Sequence, residues 1–275
     1  MTTTTPARRS TTQPASPIRL SAAGILRSEW IKLRTLRSTV WAYAVILVIQ
    51  IAFGLLIVAI SVNDGGISRG PERGITLASL ATFGPIAGVA FGQLVVSVLG
   101  VLVISGEYTT GQIRSSFAAV PKRLPVLWAK VAVFGVVTFV VSLVSILLTY
   151  LVTAPILSGA GVTSNLFEGN LLLTFVGAAG YLALIGILSM AIGAILRSTA
   201  GGIAGALGLL LVVPVVFSLI PADWAHSLSD WLPSAAGSNI YQPGIFEWWQ
   251  GLLILLGWIV VALATAATLM RRRDA

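Results

Sequence analysis

The chain has 275 residues, of which 56% are hydrophobic and only 9% are charged, and its mean hydropathy is +0.95. Soluble domains carry charge on roughly a quarter of their residues, so this composition excludes a soluble domain and indicates an integral membrane protein. The net charge is +8, but the basic residues flank apolar runs without interleaved aromatic residues. Anionic lipid is therefore a simpler partner than nucleic acid, which we do not expect to bind.

Residues 1–20 are rich in Thr, Ser and Pro and contain little that could form a core, which predicts a disordered cytosolic tail. The first long apolar run begins near Val40, too late for a cleavable signal peptide. We therefore expect one membrane domain over residues 21–273.

The segment between the tail and that run has helical periodicity. Apolar residues recur at helical spacing at Leu26, Trp30, Leu33 and Leu36, and basic residues lie mostly in other directions at Arg27, Lys32, Arg34 and Arg37. This pattern predicts an amphipathic helix at the membrane surface, with Trp30, Lys32, Arg34 and Arg37 as its interfacial residues. An ordinary basic flank that only enforces topology explains the pattern equally well.

Six apolar runs follow, each long enough to cross a hydrocarbon core of roughly 30 Å as a helix. They cover residues 40–62, 77–105, 131–157, 170–196, 199–220 and 249–270. The expected fold class is an all-α integral membrane protein, because lipid tolerates no open sheet edge.

Charge is distributed unequally between the two sides that such a topology defines. With both termini on the same side, that side has fifteen Lys and Arg and three acidic residues, and the other side has two and six. Short loops rich in Lys and Arg stay in the cytoplasm, so both termini are expected to be cytoplasmic.

The second run contains a glycine stripe at Gly84, Gly88 and Gly92, which would let another helix approach closely. Packing within this chain is favoured, and a subunit interface is the alternative. Pro85 in this run and Pro214 in the fifth are expected to kink their helices.

The longest outer segment lies between the fifth and sixth runs and contains Trp224, Trp231, Tyr241, Trp248 and Trp249. Its aromatic residues suit a segment that lies along the outer interface or re-enters the membrane as short helices. His226 lies there beside Asp223 and Asp230, but a lone histidine does not predict a metal or catalytic site.

No run has an ionisable residue near its centre, where proton relays and counter-ions usually lie. The sequence has no Gly-Lys pair and so no phosphate-binding loop of the Gly-x-x-x-x-Gly-Lys type. We expect no catalytic residues and no cofactor bound by this chain.

The inner connection between the second and third runs is SGEYTTGQIRSSFAAVPKRLPVLWAK. Glu107 follows directly after an apolar run, where an acidic residue is unusual on the cytoplasmic side. It is expected either to cap the start of a short interfacial helix or to belong to a docking element for a cytosolic partner.

At these residues the chain resembles the permease subunits of type-2 ATP-binding-cassette transporters, the exporter class. The matches are Glu107, Gly111, Arg114, Pro121, Arg123 and Lys130, together with SEWIKLRTLRST before the first run. The resemblance implies a short coupling helix between spans two and three that docks on a separate ATPase subunit, with Glu107, Gly111, Arg114 and Arg123 as coupling residues. It also implies a second permease, and ATP and magnesium bound by the ATPase partner.

The expected protein is therefore a non-enzymatic permease subunit of an ATP-driven exporter in a bacterial plasma membrane. No motif identifies its substrate or the residues that would bind it. A carrier driven by an ion gradient, an enzyme acting on lipid, and a membrane sensor or assembly subunit are the alternatives.

Overall fold

The computed structural model describes residues 21–63, 79–109, 111, 123–167 and 169–272, apart from the side chains of Arg123 and Arg272. The expected tail (residues 1–20) and coupling helix, with Arg114, lie outside these residues. The described part is helical and contains no strand, and six of its helical segments are long and apolar enough to cross a membrane. This confirms the prediction of an all-α membrane protein, and the six segments correspond to the six expected spans.

The chain begins with a short helix and continues into the spans. The helices are α1 (Ala22–Thr35), α2 (Arg37–Asn63), α3 (Leu80–Ile86), α4 (Val89–Thr109), α5 (Arg123–Gly159), α6 (Leu171–Leu196), α7 (Thr199–Leu207), α8 (Val213–Ser218), α9 (Asp223–Asp230), α10 (Pro233–Ser238) and α11 (Trp248–Arg272). α3 with α4 forms the second span, and α7 with α8 forms the fifth. We call the end of the bundle that carries α1 the α1 end, and the end that carries α10 the α10 end.

α6 is the central helix of the bundle and packs against α4, α5, α7 and α11. Its residues are apolar all round, as expected of a helix enclosed by other helices, and Phe175, Tyr181 and Ile185 are almost fully buried. α4 comes close to α6 where Gly100 meets the backbone of Gly186. A side chain at Gly100 would separate the two helices.

The second span is broken after Pro85, between α3 and α4. Pro85 has no backbone N–H to donate within the helix, and the Gln50 side-chain amide of α2 donates to its carbonyl oxygen. Gly88 lies against α2 as well, because a Cβ atom there would be 2.6 Å from Gln50 Cα. Two members of the glycine stripe, Gly84 and Gly88, thus pack against α2 of the same chain.

The fifth span contains a wider helical turn just before its proline. Residues Gly208–Val212 form a π-helical segment, in which the Val213 N–H donates to the Gly208 carbonyl oxygen. An added residue in the turn accommodates Pro214, whose ring would clash with the carbonyl four residues earlier in a regular α-helix.

α5 has 37 residues and would extend about 55 Å at 1.5 Å per residue, further than a bilayer core of roughly 30 Å. The sequence placed the start of this span at residue 131 and assigned Lys130 to the preceding connection. The structure instead places Lys130 inside α5, in a helix that begins at Arg123.

Two short helices, α9 and α10, lie between the fifth and sixth spans. α10 packs on α6, because a Cβ atom at Gly237 would be 2.6 Å from Tyr181 Cε2, and one at Gly177 would be 2.7 Å from the Ile240 carbonyl oxygen. Trp258 of α11 holds the segment from another side by donating to the Trp231 carbonyl oxygen at 3.0 Å. The segment therefore reaches a point about 9 to 15 Å along α6 from Leu171.

Candidate coupling site

α1 leads directly into the first span. The Ser21 hydroxyl accepts a hydrogen bond from the Gly24 N–H at 3.1 Å and caps the start of α1. The Leu36 N–H donates to the Lys32 carbonyl at its end. Only Leu36 separates α1 from α2. A shift of α1 would therefore be transmitted to the first span.

One face of α1 packs on the bundle, against α5 and α2. Glu29 and Leu33 are the buried residues of this helix, whereas Leu26, Trp30 and Leu36 are exposed. Of the apolar stripe predicted from the sequence, Leu33 therefore contacts protein. The other three side chains remain available to another surface.

Glu107 lies two residues before the end of α4 and is buried. It does not begin a helix, so the interpretation of Glu107 as a cap at a helix start is wrong. A carboxylate in the last turn of a helix is unfavourable beside the negative end of the helix dipole. Glu107 therefore needs nearby cations.

Two lysines and two glutamates from three helices form a network of ion pairs around Glu107. Lys130 Nζ of α5 lies 2.6 Å from Glu29 Oε2 and 2.9 Å from Glu107 Oε1. Lys32 Nζ of α1 lies 2.7 Å from Glu29 Oε1 and 3.0 Å from Glu107 Oε1. We call Glu29, Lys32, Glu107 and Lys130 the charge cluster. With two carboxylates and two ammonium groups, it is neutral as a whole.

The charge cluster is largely withdrawn from solvent. The side chains of Glu29, Lys130 and Glu107 are 3%, 4% and 9% exposed, and that of Lys32 is 24% exposed. Burial by itself lowers the pKa of Lys32, but its hydrogen bonds to Glu29 and Glu107 and the charges of these carboxylates outweigh burial, so this pKa is raised. Removing one member of a buried ion pair costs about 3–5 kcal/mol, and here the loss of either lysine would leave two carboxylates to share one ammonium group.

A second set of contacts braces the same end of the bundle. Arg197, in a left-handed conformation between α6 and α7 with φ 52°, lies over the Tyr108 ring at 5.4 Å. Its Nη2 donates to the Leu269 carbonyl of α11 at 3.3 Å. The Thr199 hydroxyl donates to Ser105 Oγ at 3.0 Å. The last turn of α4 is therefore attached to α1, α5, α7 and α11.

The residues predicted from the sequence have different positions. Glu107 and Lys32 belong to the charge cluster, whereas Trp30, Arg34 and Arg37 are exposed. Gly111 has φ +70°, a left-handed conformation that favours glycine. Arg123 begins α5, and its side chain and all of Arg114 lie outside the described residues.

Sequence reasoning did not find Glu29 as a site residue and did not pair Lys130 with any acid. The available signal was that Glu29 and Glu107 are the acidic residues flanking the predicted inner ends of the first two spans. Among the described residues, no group of three or more His, Asp and Glu side chains could hold a metal ion. Asp223, His226 and Asp230 all belong to α9.

A scan against protein-family models and a search of curated proteins both gave no match to this chain. The physical features of the site therefore have to support a functional proposal. These features are a buried, neutral charge cluster and the attachment of α1 to both sides of the connection between the second and third spans.

Proposed function

We propose that the chain is the permease subunit of an ATP-driven exporter of a bacterial plasma membrane. In this proposal, two permeases form the translocation path and separate ATPase subunits bind ATP and magnesium. Both termini and the α1 end face the cytoplasm, in accord with the excess of Lys and Arg at that end. Six apolar helices and the resemblance at Glu107 and Gly111 support this assignment.

The charge cluster is the observation that carries the proposal. The connection between α4 and α5 is the expected contact with the ATPase, and it has Glu107 just before it and Lys130 shortly after it. Both residues bind side chains of α1. A force applied to the connection would therefore reach α1, and through Leu36 it would reach the first span.

Charged groups suit such a mechanical link because they have strict geometric requirements. Ion pairs of this kind lose most of their stabilisation when a buried partner moves away, so the cluster favours discrete arrangements over continuous deformation. Nucleotide-driven closure of the ATPase pair would change the relative populations of these arrangements, as in a population shift between two packings.

The exposed side of α1 fits a membrane surface. Leu26, Trp30 and Ile31 are exposed on a helix whose inner face is already packed, and aromatic and aliphatic side chains of this kind insert at the headgroup boundary. Arg34 and Arg37 are exposed near the same helix end and would contact anionic lipid headgroups. α1 would thus move along the membrane surface and remain attached to it.

The decisive experiment is to purify the tagged chain from its native membrane and identify the proteins that accompany it. We expect an ATP-binding-cassette ATPase subunit, and we expect ATP turnover by the reconstituted complex to depend on this chain. A purified chain that moved cargo across vesicles without any ATPase would contradict the proposal.

A further inference from the structure

A second site lies toward the opposite end of the bundle from the charge cluster. A cavity of about 370 Å³ opens between α2, α3, α4, α6 and α10. Ligand pockets usually have volumes of about 300–1,000 Å³, so this cavity is large enough for a small organic molecule. Tyr181 places it about 15 Å along α6 from Leu171, within the apolar span.

The cavity has two chemically different walls. Ile57, Phe83, Ile86, Ala87 and Ala90 form the apolar wall. The polar wall comes from two spans and from the segment between spans five and six, and its members are Gln93, Tyr181, Ser234, Ser238, Tyr241 and Gln242. None of these residues carries a formal charge at neutral pH.

The polar wall is built by specific contacts. Tyr181 is 2% exposed, and its hydroxyl donates to Gln93 Oε1. This contact fixes the carboxamide of Gln93, whose amide group can donate two hydrogen bonds. The Tyr181 and Tyr241 rings lie 5.3 Å apart, so the wall continues from α6 onto the segment after α10.

α10 adds two hydroxyl groups to this wall. Ser234 and Ser238 are four residues apart and share one face of the helix, and both line the cavity. Gly237 lies roughly a quarter turn round the helix from these serines and faces Tyr181 and Leu255, so α10 also packs on the bundle. Both serines are half-buried, and the Ser238 hydroxyl already donates to the Ala235 carbonyl oxygen at 2.8 Å, so toward the cavity it can accept a hydrogen bond.

We propose that this cavity binds a neutral amphiphile, whose apolar part lies against the apolar wall and whose hydroxyl or amide groups face Gln93, Tyr241, Ser234 and Ser238. An ionised head group would be unfavourable, because no lining residue offers an opposite charge and an unpaired charge at this depth is costly. The inference that the bound molecule is exported cargo rests on the proposed export function. The inference that the cavity binds such a molecule does not.

Photolabelling of the full chain in phosphatidylcholine nanodiscs tests this proposal without ATPase or nucleotide. The probe is octanol carrying a diazirine group, and the matched anionic probe is octanoate carrying the same group. Labelled residues are located by peptide mass spectrometry. We expect saturable labelling by the octanol probe on peptides that contain Ala87, Ala90 or Tyr241, and at least fivefold weaker labelling by octanoate.

Two variants distinguish the cavity from general partitioning into the bilayer. Ala90 is exposed at the cavity wall, so Ala90→Trp fills the cavity without crowding the core, and we expect at least a fivefold loss of labelling. The matched control is Val261→Trp, at a position on α11 that is 65% exposed, which should label like the natural chain. Unchanged labelling in Ala90→Trp, or equal labelling by the two probes, would overturn the proposal.

A double variant tests the polar wall. Gln93→Leu with Tyr181→Phe removes both partners of one hydrogen bond and leaves no orphaned group, so the fold is expected to tolerate it. We expect the octanol concentration for half-maximal labelling to rise roughly two- to tenfold, as for the loss of one or two hydrogen bonds. Unchanged half-saturation with an unchanged unfolding temperature would show that the polar wall does not contact the ligand.

Competition identifies where the amphiphile comes from. Octyl glucoside added to the water phase and dioctanoylglycerol built into the nanodisc are compared as competitors of the octanol probe. Displacement by either supports a neutral amphiphile site and shows from which phase the ligand enters, whereas displacement by neither would overturn it. These outcomes are independent of the ATPase measurement, so either proposal can fail alone.

Discussion

Lys130 Nζ and Glu29 Oε2 lie 2.6 Å apart, although their residues are 101 positions apart in the sequence. One belongs to the third span and the other to the helix that precedes the first. The pair is buried, so separating α1 from the bundle would break it and leave Glu29 with Lys32, and Lys130 with Glu107, as the remaining partners. This contact makes α1 part of the bundle and not a mere extension of the amino-terminal tail.

Removing a single charge from the cluster should destabilise the protein. We expect Lys130→Gln to lower the free energy of unfolding by about 3–5 kcal/mol, because Glu29 and Glu107 lose a buried partner. Thermal unfolding of the purified chain in mild detergent measures this change. The control is Arg34→Gln at an exposed position of α1, which should shift stability by no more than about 0.5 kcal/mol. Equal effects of the two variants would contradict the role given to the cluster.

Charge reversal distinguishes the cluster's role in coupling from its role in stability. Glu107→Lys places a third ammonium group beside Lys32 and Lys130, and we expect ATP turnover stimulated by the permease to be lost. The double variant Glu107→Lys with Lys130→Glu restores a neutral cluster and should recover a substantial part of both stability and turnover. Recovery of stability without turnover would show that Glu107 contacts the ATPase directly.

The decrease in the free energy of unfolding at alkaline pH should depend on Lys32. Its pKa lies above the ordinary value of 10.5 in the folded chain, so Lys32 contributes stability that is fully present below pH 10.5 and is lost as the pH rises through the higher folded value. Unfolding midpoints measured from pH 8 to 11.5 should fall more steeply for the natural chain than for Lys32→Met at the alkaline end. Parallel curves would exclude this contribution.

Two glycines of the same stripe should respond differently to alanine. A Cβ atom at Gly88 would be 2.6 Å from Gln50 Cα, whereas one at Gly92 would have its nearest neighbours at 3.8 Å. We expect Gly88→Ala to cost about 1–3 kcal/mol, as overpacking does, and Gly92→Ala to be close to neutral. Thermal unfolding of both variants side by side is the measurement, and equal tolerance would show that α2 can move away freely from the break between α3 and α4.

The orientation of the chain in the membrane can be measured directly. Because the chain has no cysteine, a single introduced cysteine is the only thiol that a reagent can label. Ser28 at the α1 end and Ser227 on α9 are both exposed serines. In intact cells, a membrane-impermeant thiol reagent should label Ser227→Cys but label Ser28→Cys only after the membrane is opened. The reverse pattern would overturn the proposal that the α1 end faces the cytoplasm.

The spans could be predicted from the sequence because each is a continuous apolar run long enough to cross a bilayer. Lys130 shows why the ends of the spans could not be predicted from the sequence. A charged residue lowers local hydropathy and therefore marks a boundary, yet the helix continues past it because Glu29 and Glu107 neutralise its ammonium group. Only tertiary packing brings these three residues together, and no periodicity in the sequence encodes a contact over such separations.

The cavity could not be predicted from the sequence either, although Gln93 and Tyr181 were recognisable as polar residues within apolar runs. Their meeting depends on the close approach of α4 to α6 at Gly100 and Gly186. The serines of α10 gave no signal, because a serine near an expected membrane interface is ordinary.

α4 carries a residue of each site, with Gln93 in the wall of the cavity and Glu107 in the charge cluster. Both residues lie on one uninterrupted α-helix and are separated by about 21 Å along its axis. A rotation of this helix that parts Glu107 from Lys130 must also turn Gln93 away from the Tyr181 hydroxyl. If both proposals hold, occupancy of the cavity and the state of the ion pairs at the α1 end are thermodynamically linked, and a bound guest would bias the response to nucleotide as much as nucleotide would bias the affinity for the guest.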